Sequence, residues 1–188
     1  FQTDNFPTPG KIYKHLYPNF QSPPSKTFTI RYRAYSGASC VNDKIKTVTV
    51  NAAPKVQFTA MTNACLYAAT YQITQAKETG GVPGSFQFTG PGITPSGIFT
   101  PAIAGVGTFT LNYSFTSSAG GVDTTSQQIT VLPPPVANFG FSLPACETKA
   151  ITFSDSSTTP AGNIIKWTWD YNDGSPIDVR ASGVSFTH

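Results

Sequence analysis

One segment of the chain occurs twice, at residues 26–65 and again at 107–146, and the two copies align without a gap at an offset of 81. About a third of the aligned pairs are identical, and most of the others keep their polarity. This offset is too long for a solenoid repeat of about 20–50 residues but suits a small β-sandwich. The repeat therefore predicts similar domains in series, as in stalks, spacers and adhesins. Identical pairs include Pro54 with Pro135, Phe58 with Phe139 and Cys65 with Cys146.

The composition favours an all-β protein. The 188 residues include 16 Gly and 16 Pro, and only 11% are charged, against about 25% in a typical globular domain. The 24 aromatic residues carry more apolar surface than a disordered chain has. Apolar residues do not recur at helical spacing over any long window. We therefore expect tandem Ig-like β-sandwich domains joined by short Pro-rich linkers.

Several classes of function find no support in the residues. The net charge of +3 is scattered, with no basic stripe for nucleic acid and no apolar run long enough to span a membrane. Three cysteines without CxxC spacing, and two histidines at opposite ends (His15 and His188), do not suit a zinc site. No nucleophile, base and metal set points to an enzyme. Both histidines are expected to form hydrogen bonds within a sandwich rather than to act as bases. Low charge, abundant Thr and Ser, and few cysteines favour an extracellular setting.

Strict alternation of apolar and polar residues predicts the main strands. The expected core-facing rows are Phe28, Ile30, Tyr32 and Ala34; Phe109, Leu111, Tyr113 and Phe115; Tyr67, Ala69, Tyr71 and Ile73; and Ile165, Trp167, Trp169 and Tyr171. Shorter strands are predicted at 46–50, 55–60, 84–89, 127–132, 136–141, 150–155 and 184–187.

Two proline-containing joints divide the chain. Residues 51–54 and 132–135 each follow a Thr-Val strand and precede a new one. Because proline fixes φ and lacks an amide donor, such joints are expected to be stiff. They predict one complete Ig-like domain at 54–132, between partial domains at 1–52 and 134–188.

The two outer segments look like halves of a sandwich, which would leave unpaired edges and exposed aromatic faces. We therefore expect that the sequence is a window on a longer chain. The alternative is that successive molecules complete each other by strand exchange.

Residues 167–175, Trp-Thr-Trp-Asp-Tyr-Asn-Asp-Gly-Ser, form the most specific local motif. Asp170, Asn172 and Asp173 are weak candidates for calcium ligands, but their spacing departs from the EF-hand loop. A structural turn is favoured, because Asn and Asp tolerate positive φ and hydrogen-bond to nearby backbone amides. No other cofactor is indicated.

The motif resembles the W-x-F-G-D-G-S signature of the PKD (polycystic kidney disease) domain, a seven-stranded Ig-like sandwich. Tyr171 stands for the usual Phe and Asn172 for the usual first Gly. The PKD pattern continues with His-x-Tyr and a Thr-rich strand, which residues 15–17 and 27–30 resemble. The resemblance implies that 1–52 is the C-terminal half of one PKD-like domain and 134–188 the N-terminal half of the next. His188 would then correspond to His15, with a larger repeat of about 173 residues.

The middle domain is similar to a second Ig-like module, on the basis of Gly90-Pro-Gly92, 99–102 and 104–108. Alternation of these two module types resembles the giant surface proteins of Bacteroidota, including gliding-motility adhesins exported by the type IX system.

The resemblance, together with the internal repeat, also implies the state of the cysteines. Cys40 and Cys146 would form disulfides with cysteines of missing half-domains, and not with each other. Cys65 should pair at the position that corresponds to Cys40, and that position is Gly121. Cys65 is therefore expected to be a free, buried thiol.

Asp123-Thr124-Thr125 matches a short O-glycosylation pattern of Bacteroidota, so Thr124 is a possible glycosylation site. The alternative is a plain polar loop.

The leading functional hypothesis is a structural or adhesive segment of a long, repetitive cell-surface protein or filament. Its expected partners are adjacent repeats or copies of itself, and possible further ligands are polysaccharides or surface molecules. The second hypothesis is a spacer or accessory region of a secreted hydrolase that contacts carbohydrate.

Overall fold

The protein is almost entirely β-structure. A computed structural model describes residues 10, 12–37, 39–143 and 149–188. The strands are β1 Ser25–Ser36, β2 Cys40–Asn51, β3 Val56–Phe58, β4 Ala64–Cys65, β5 Tyr71–Gln72, β6 Ala76–Glu78, β7 Gly84–Thr89, β8 Ile98–Phe99, β9 Gly107–Ser117, β10 Val122–Leu132, β11 Phe139–Phe141, β12 Thr152–Asp155, β13 Trp167–Trp169, β14 Asp178–Arg180 and β15 Phe186–Thr187. The one helix in the described part of the chain is the four-residue α1, Pro101–Ala104.

Strands β1 and β2 form a long antiparallel hairpin with Ser25 opposite Asn51 and Ser36 opposite Cys40. Across the two strands, the hydroxyl groups of Thr27 and Thr49 lie 3.3 Å apart. β-Branched residues such as these favour the extended backbone, and cross-strand pairs stabilise it.

The middle of the chain contains a four-stranded sheet in the order β4, β10, β9, β7. Strand β10 pairs in parallel with β4, so that Val131 lies opposite Ala64. Strands β9 and β10 are the second copy of the repeated segment. Their bounds match those of β1 and β2 at an offset of 81 to within one residue. The hydroxyl groups of Thr108 and Thr130, the counterparts of Thr27 and Thr49, lie 2.9 Å apart.

The C-terminal part contains a three-stranded sheet in the order β11, β12, β15 and a separate β13–β14 pair. Phe141 lies opposite Phe153 and Phe153 opposite Phe186, and both strand pairs are antiparallel. Trp167 in β13 lies opposite Arg180 in β14. Large aromatic side chains thus alternate with smaller residues along β11 and β13.

Every fully buried residue in the described part of the chain lies between Ala52 and Val131. The predicted row in β9 is confirmed, because Leu111, Tyr113 and Phe115 are buried. The corresponding row in β1 was expected to face a core, and this expectation is wrong for Ile30 and Tyr32, which are exposed. The two hairpins have the same local pattern, so their difference in burial comes from the surroundings and not from the strands themselves.

Two predicted rows are shorter than expected. In the row predicted from Tyr67 to Ile73, only Tyr71 and Gln72 form a strand, which is β5. Tyr67 is exposed and lies in a turn after β4, where the Ala68 amide donates to the Cys65 carbonyl. In the last row, Ile165 is exposed and precedes β13. Alternation alone overestimates strand length, because an extended backbone also needs a hydrogen-bonding neighbour. The short strands β4, β6, β8 and β14 were not predicted.

The chain divides into two compact units. One contains the described residues up to Gln57, with 76–86 and 113–125, and buries Val82, Tyr113 and Phe115. The other contains 58–75, 87–112 and 126–188. Its buried residues include Phe58, Ile73, Phe88, Phe99, Leu111, Ile129 and Val131. These units do not coincide with the predicted domain at 54–132, whose bounds remain a prediction.

Candidate functional site

The segment after Trp169 folds as a tight turn that carries three polar side chains. The Asn172 amide donates to Asp170 Oδ1 at 2.9 Å, and the Ser175 amide donates to Asp173 Oδ1 at 2.8 Å. Asn172 and Gly174 have φ of +55° and +85°. These are the contacts of a backbone turn, and calcium binding by Asp170, Asn172 and Asp173 remains a prediction. Within 10, 12–37, 39–143 and 149–188, no group of three or more His, Cys, Asp or Glu residues could hold a metal ion.

His188 lies against this turn. Its Nε2 is 2.7 Å from Asp173 Oδ2, and its ring stacks on Tyr171 at a centroid distance of 3.7 Å. The hydrogen bond from Ser175 is the largest cause that lowers the pKa of Asp173 well below its usual range, and the contact with His188 adds to it. The backbones of His188 and Ile151 exchange two hydrogen bonds. The turn is thereby tied to a distant part of the sequence.

A second polar group lies on the β13–β14 side. The Tyr171 hydroxyl donates to Asp178 Oδ2 at 3.1 Å, and Arg180 Nε donates to the same oxygen at 2.7 Å. The Arg180 guanidinium also lies 3.5 Å from the centre of the Phe186 ring, a cation–π contact. These contacts hold the aromatic side chains in place, and they contain no nucleophile paired with a base.

His15 has a different environment from His188. Its ring packs edge-to-face on Tyr17 at 4.9 Å, and Tyr17 in turn packs on Phe28 at 4.6 Å. The expectation that both histidines form hydrogen bonds inside a sandwich does not describe His15, which is exposed and makes an aromatic contact.

An aromatic cleft with a volume of about 760 Å³ lies in the C-terminal part. Trp169 is central to it, with ring centroids 5.2 Å from Phe139, 5.8 Å from Phe153 and 5.1 Å from Phe186. Asp170, Asp173 and His188 line its edge. The sequence identified Trp169 and the turn. It did not predict that Phe139 and Phe186 contact Trp169, because they lie 30 and 17 residues away from it along the chain.

The two described cysteines do not line this cleft. Cys40 begins β2 and is exposed, and Cys65, in β4, is also exposed. The expectation that Cys65 is buried is wrong, because β4 presents Ala64 to the core and the next side chain therefore points the other way. Cys146 lies outside the described residues. The disulfides of Cys40 and Cys146 with missing half-domains, and the free state of Cys65, remain predictions.

Thr124 lies in strand β10, so the polar-loop alternative is wrong for this residue. Its side chain is exposed, and its amide donates to Asp123 Oδ1 at 2.9 Å. The other oxygen of Asp123 accepts a hydrogen bond from the Val56 amide at 2.9 Å. Glycosylation of Thr124 remains a prediction.

No helix in the described ranges is both long and apolar enough to cross a membrane. No curated protein and no solved structure matches the chain. Residues 132–188 match the family model described as the PKD domain. The match covers the aromatic cleft and its turn, and it supports a PKD/Ig-like β-sandwich assignment for this part of the chain.

Proposed function

We propose that this chain is a structural or adhesive segment of a long, repetitive extracellular surface protein. The observation that carries the proposal is the repeated hairpin, which forms twice with strand bounds that agree to within one residue and with the same Thr–Thr pair. The PKD match beside it supports the same reading, because PKD domains are typically extracellular Ig-like modules. Repetition of one β-hairpin unit along a chain makes the protein longer and enlarges its surface, and it does not by itself create a catalytic centre.

The proposal treats the segment as non-enzymatic. The polar groups around Tyr171 and His188 contact each other and the backbone, and the described contacts contain no nucleophile–base pair. The Pro-rich joints at 51–54 and 132–135 would keep successive modules at fixed separations, since proline restricts the backbone.

We also propose that the protein comes from the Bacteroidota and is exported to the cell surface. A gliding-motility adhesin of the Bacteroidota, exported by the type IX system, would combine PKD-type and other Ig-like modules in this way. Only the sequence resemblance supports this part of the proposal.

Localisation of the natural protein tests the function. Antibodies against residues 54–132 should label intact cells, and mild protease treatment of those cells should remove the label. Electron microscopy of the released protein should show a long, thin particle with a regular axial period. A compact particle, or fractionation with a catalytic domain that degrades polysaccharide, would instead support the hydrolase-accessory alternative.

A further inference from the structure

The backbone that joins β2 to β3 is hydrogen-bonded on both sides of Pro54. Before the proline, the Ala52 amide donates to the Pro24 carbonyl at 2.8 Å. After it, the Lys55 carbonyl accepts hydrogen bonds from the amide and the hydroxyl of Thr79, at 2.8 and 3.0 Å. Proline restricts its own φ, but the ψ angles of the joint and the φ angles of its neighbours remain soft. The hydrogen bonds restrict those remaining angles.

Two carboxylates bind the two amides that follow Pro54. The Lys55 amide donates to Glu78 Oε1 at 3.1 Å, and the Val56 amide donates to Asp123 Oδ2 at 2.9 Å. Hydrogen bonds to a charged acceptor are stronger than those between neutral groups. Glu78 belongs to β6 and Asp123 to β10, so the two carboxylates reach the joint from different strands. They therefore fix the direction of the chain as well as its position.

Pro54 is buried, and a glycine leaves room for it. A Cβ atom on Gly121 would lie 3.0 Å from Pro54 Cδ and 3.3 Å from Ser117 Oγ. The φ of Gly121 lies outside the left-handed region, so contact with Pro54, and not backbone strain, disfavours a side chain there. In the first copy of the repeat the corresponding residue is Cys40, at an offset of 81. The packing of the joint thus gives a physical reason for glycine in the second copy.

The chain that precedes the hairpin contacts the same loop. The Gln21 side chain lies so close to Gly80 that a Cβ atom on Gly80 would collide with it. The Gly80 amide in turn donates to Glu78 Oε1 at 2.7 Å. Gln21, the segment 51–56 and these loop residues belong to one compact unit. The β1–β2 hairpin is therefore attached through the chain on both of its sides, which restricts rotation about the joint.

We propose that Glu78, Gly80, Gly121 and Asp123 form a docking surface, the joint clamp, which binds the chain on both sides of the β1–β2 hairpin and holds the hairpin in one orientation. A stiff linker alone would fix only the separation of successive modules, whereas contacts with side chains also fix their angle. This inference deepens the proposed structural role and takes only its biological setting from that role, because the orientation of the hairpin is a property of the purified chain.

Distances between two spin labels test the orientation. One label is attached to Cys40 and the other at position 116, in a chain that carries Thr116→Cys, Cys65→Ser and Cys146→Ser. Both labelled positions are exposed. Cys40 begins the twelve-residue strand β2, whose other end is at the joint, so the label lies about 40 Å from the joint and moves measurably when the angle changes. We expect one narrow distance distribution, and a broad one would overturn the proposal.

Asp123→Ala distinguishes the joint clamp from the proline, because it removes one anchor and leaves Pro54 in place. It should widen the distance distribution by about twofold or more. Val122→Ala, at the exposed neighbouring position, is the matched control and should leave the width unchanged. Asp123→Asn keeps one acceptor oxygen and should give an intermediate width. If Asp123→Ala were as narrow as the parent chain, proline alone would fix the joint and the proposal would be wrong.

Gly121→Val tests the packing of Pro54 without removing a hydrogen-bonding group. The new side chain should displace Pro54 and widen or shift the distance distribution, and an unchanged distribution would contradict docking at Gly121. Hydrogen exchange in β9 should stay slow in each variant, which verifies that the sheet is still folded. If Asp123→Ala makes β9 exchange fast, the milder Asp123→Asn and Gly121→Val variants decide in its place.

Surface labelling of cells and the distance distribution of the purified chain are independent measurements. A broad distribution would leave the proposed surface role intact, and absence of the protein from the cell surface would leave the joint clamp intact.

Discussion

Asn172 links the PKD signature to a backbone requirement. It is the one described residue other than glycine with a positive φ, and the PKD motif has glycine at this position. Glycine reaches this conformation without strain, and asparagine tolerates it better than most residues do. The departure of this sequence from the motif is therefore conservative in its backbone geometry.

Two substitutions of Asn172 should show whether its backbone conformation or its side chain contributes more to the free energy of unfolding. Asn172→Val should lower the free energy of unfolding of the C-terminal part by about 1–2 kcal/mol, because a β-branched residue is strained at positive φ. Asn172→Gly should change it by less than about 1 kcal/mol. Urea unfolding followed by tryptophan fluorescence reports on this part directly. A Val variant as stable as the Gly variant would mean that the turn changes its conformation.

The Glu78 carboxylate organises a loop by accepting hydrogen bonds from the backbone. The amides of Lys55, Gly80, Gly81 and Val82 donate to it at 3.1, 2.7, 2.8 and 3.3 Å. Partial desolvation raises the pKa of Glu78, but the four backbone hydrogen bonds outweigh it and lower the pKa below its usual value. The charged form is therefore the one that stabilises the fold.

Glu78→Gln should lower the free energy of unfolding by about 1–2 kcal/mol at neutral pH, because a neutral amide with one acceptor oxygen replaces a charged acceptor with two. The folded pKa is below the unfolded pKa, so the stabilisation is complete above the unfolded value and is lost as pH falls through the folded value. The difference between wild type and variant should therefore narrow below about pH 4. Lys77→Gln, at the exposed neighbouring position, is the control. A difference that does not depend on pH would contradict a role for the charge.

The two hairpins show how little of a strand's stability is local. Both contain the same alternation and the same cross-strand Thr pair, and their strands agree in length to within one residue, yet only β9 and β10 contribute to the buried core. Local propensity and cross-strand pairs determine the hairpin, whereas burial supplies most of the free energy that holds it in a domain.

Truncation at paired positions measures this difference. Leu111→Ala should lower the free energy of unfolding by about 2–5 kcal/mol, and Ile30→Ala, its counterpart at an offset of 81, by less than about 1 kcal/mol. The measurement is chemical denaturation of the purified chain. Similar losses for the two variants would mean that the β1 face is buried in the isolated chain.

The distribution of buried residues predicts that protection from hydrogen exchange and from proteolysis differs between parts of the chain. All fully buried residues of the described ranges lie between Ala52 and Val131, so local opening should cost least outside that stretch. Hydrogen exchange in the dilute chain should be slowest in β9 and β10 and faster in β1 and β2. Limited proteolysis should leave a resistant fragment close to 54–132. Protection of β1 and β2 equal to that of β9 and β10 would refute this distribution.

The all-β class, the repeated hairpin and the turn at 170–175 follow from the sequence, because alternation, offset and turn residues are local properties of the chain. Local patterns do not show which strands cover which faces. Leu111 and Ile30 occupy equivalent positions of the repeated segment, but Leu111 is buried and Ile30 is exposed. His188 meets Asp173 only because β15 returns beside β12. Burial and side-chain contact depend on residues far apart along the chain, so only the folded arrangement distinguishes the covered hairpin from the uncovered one.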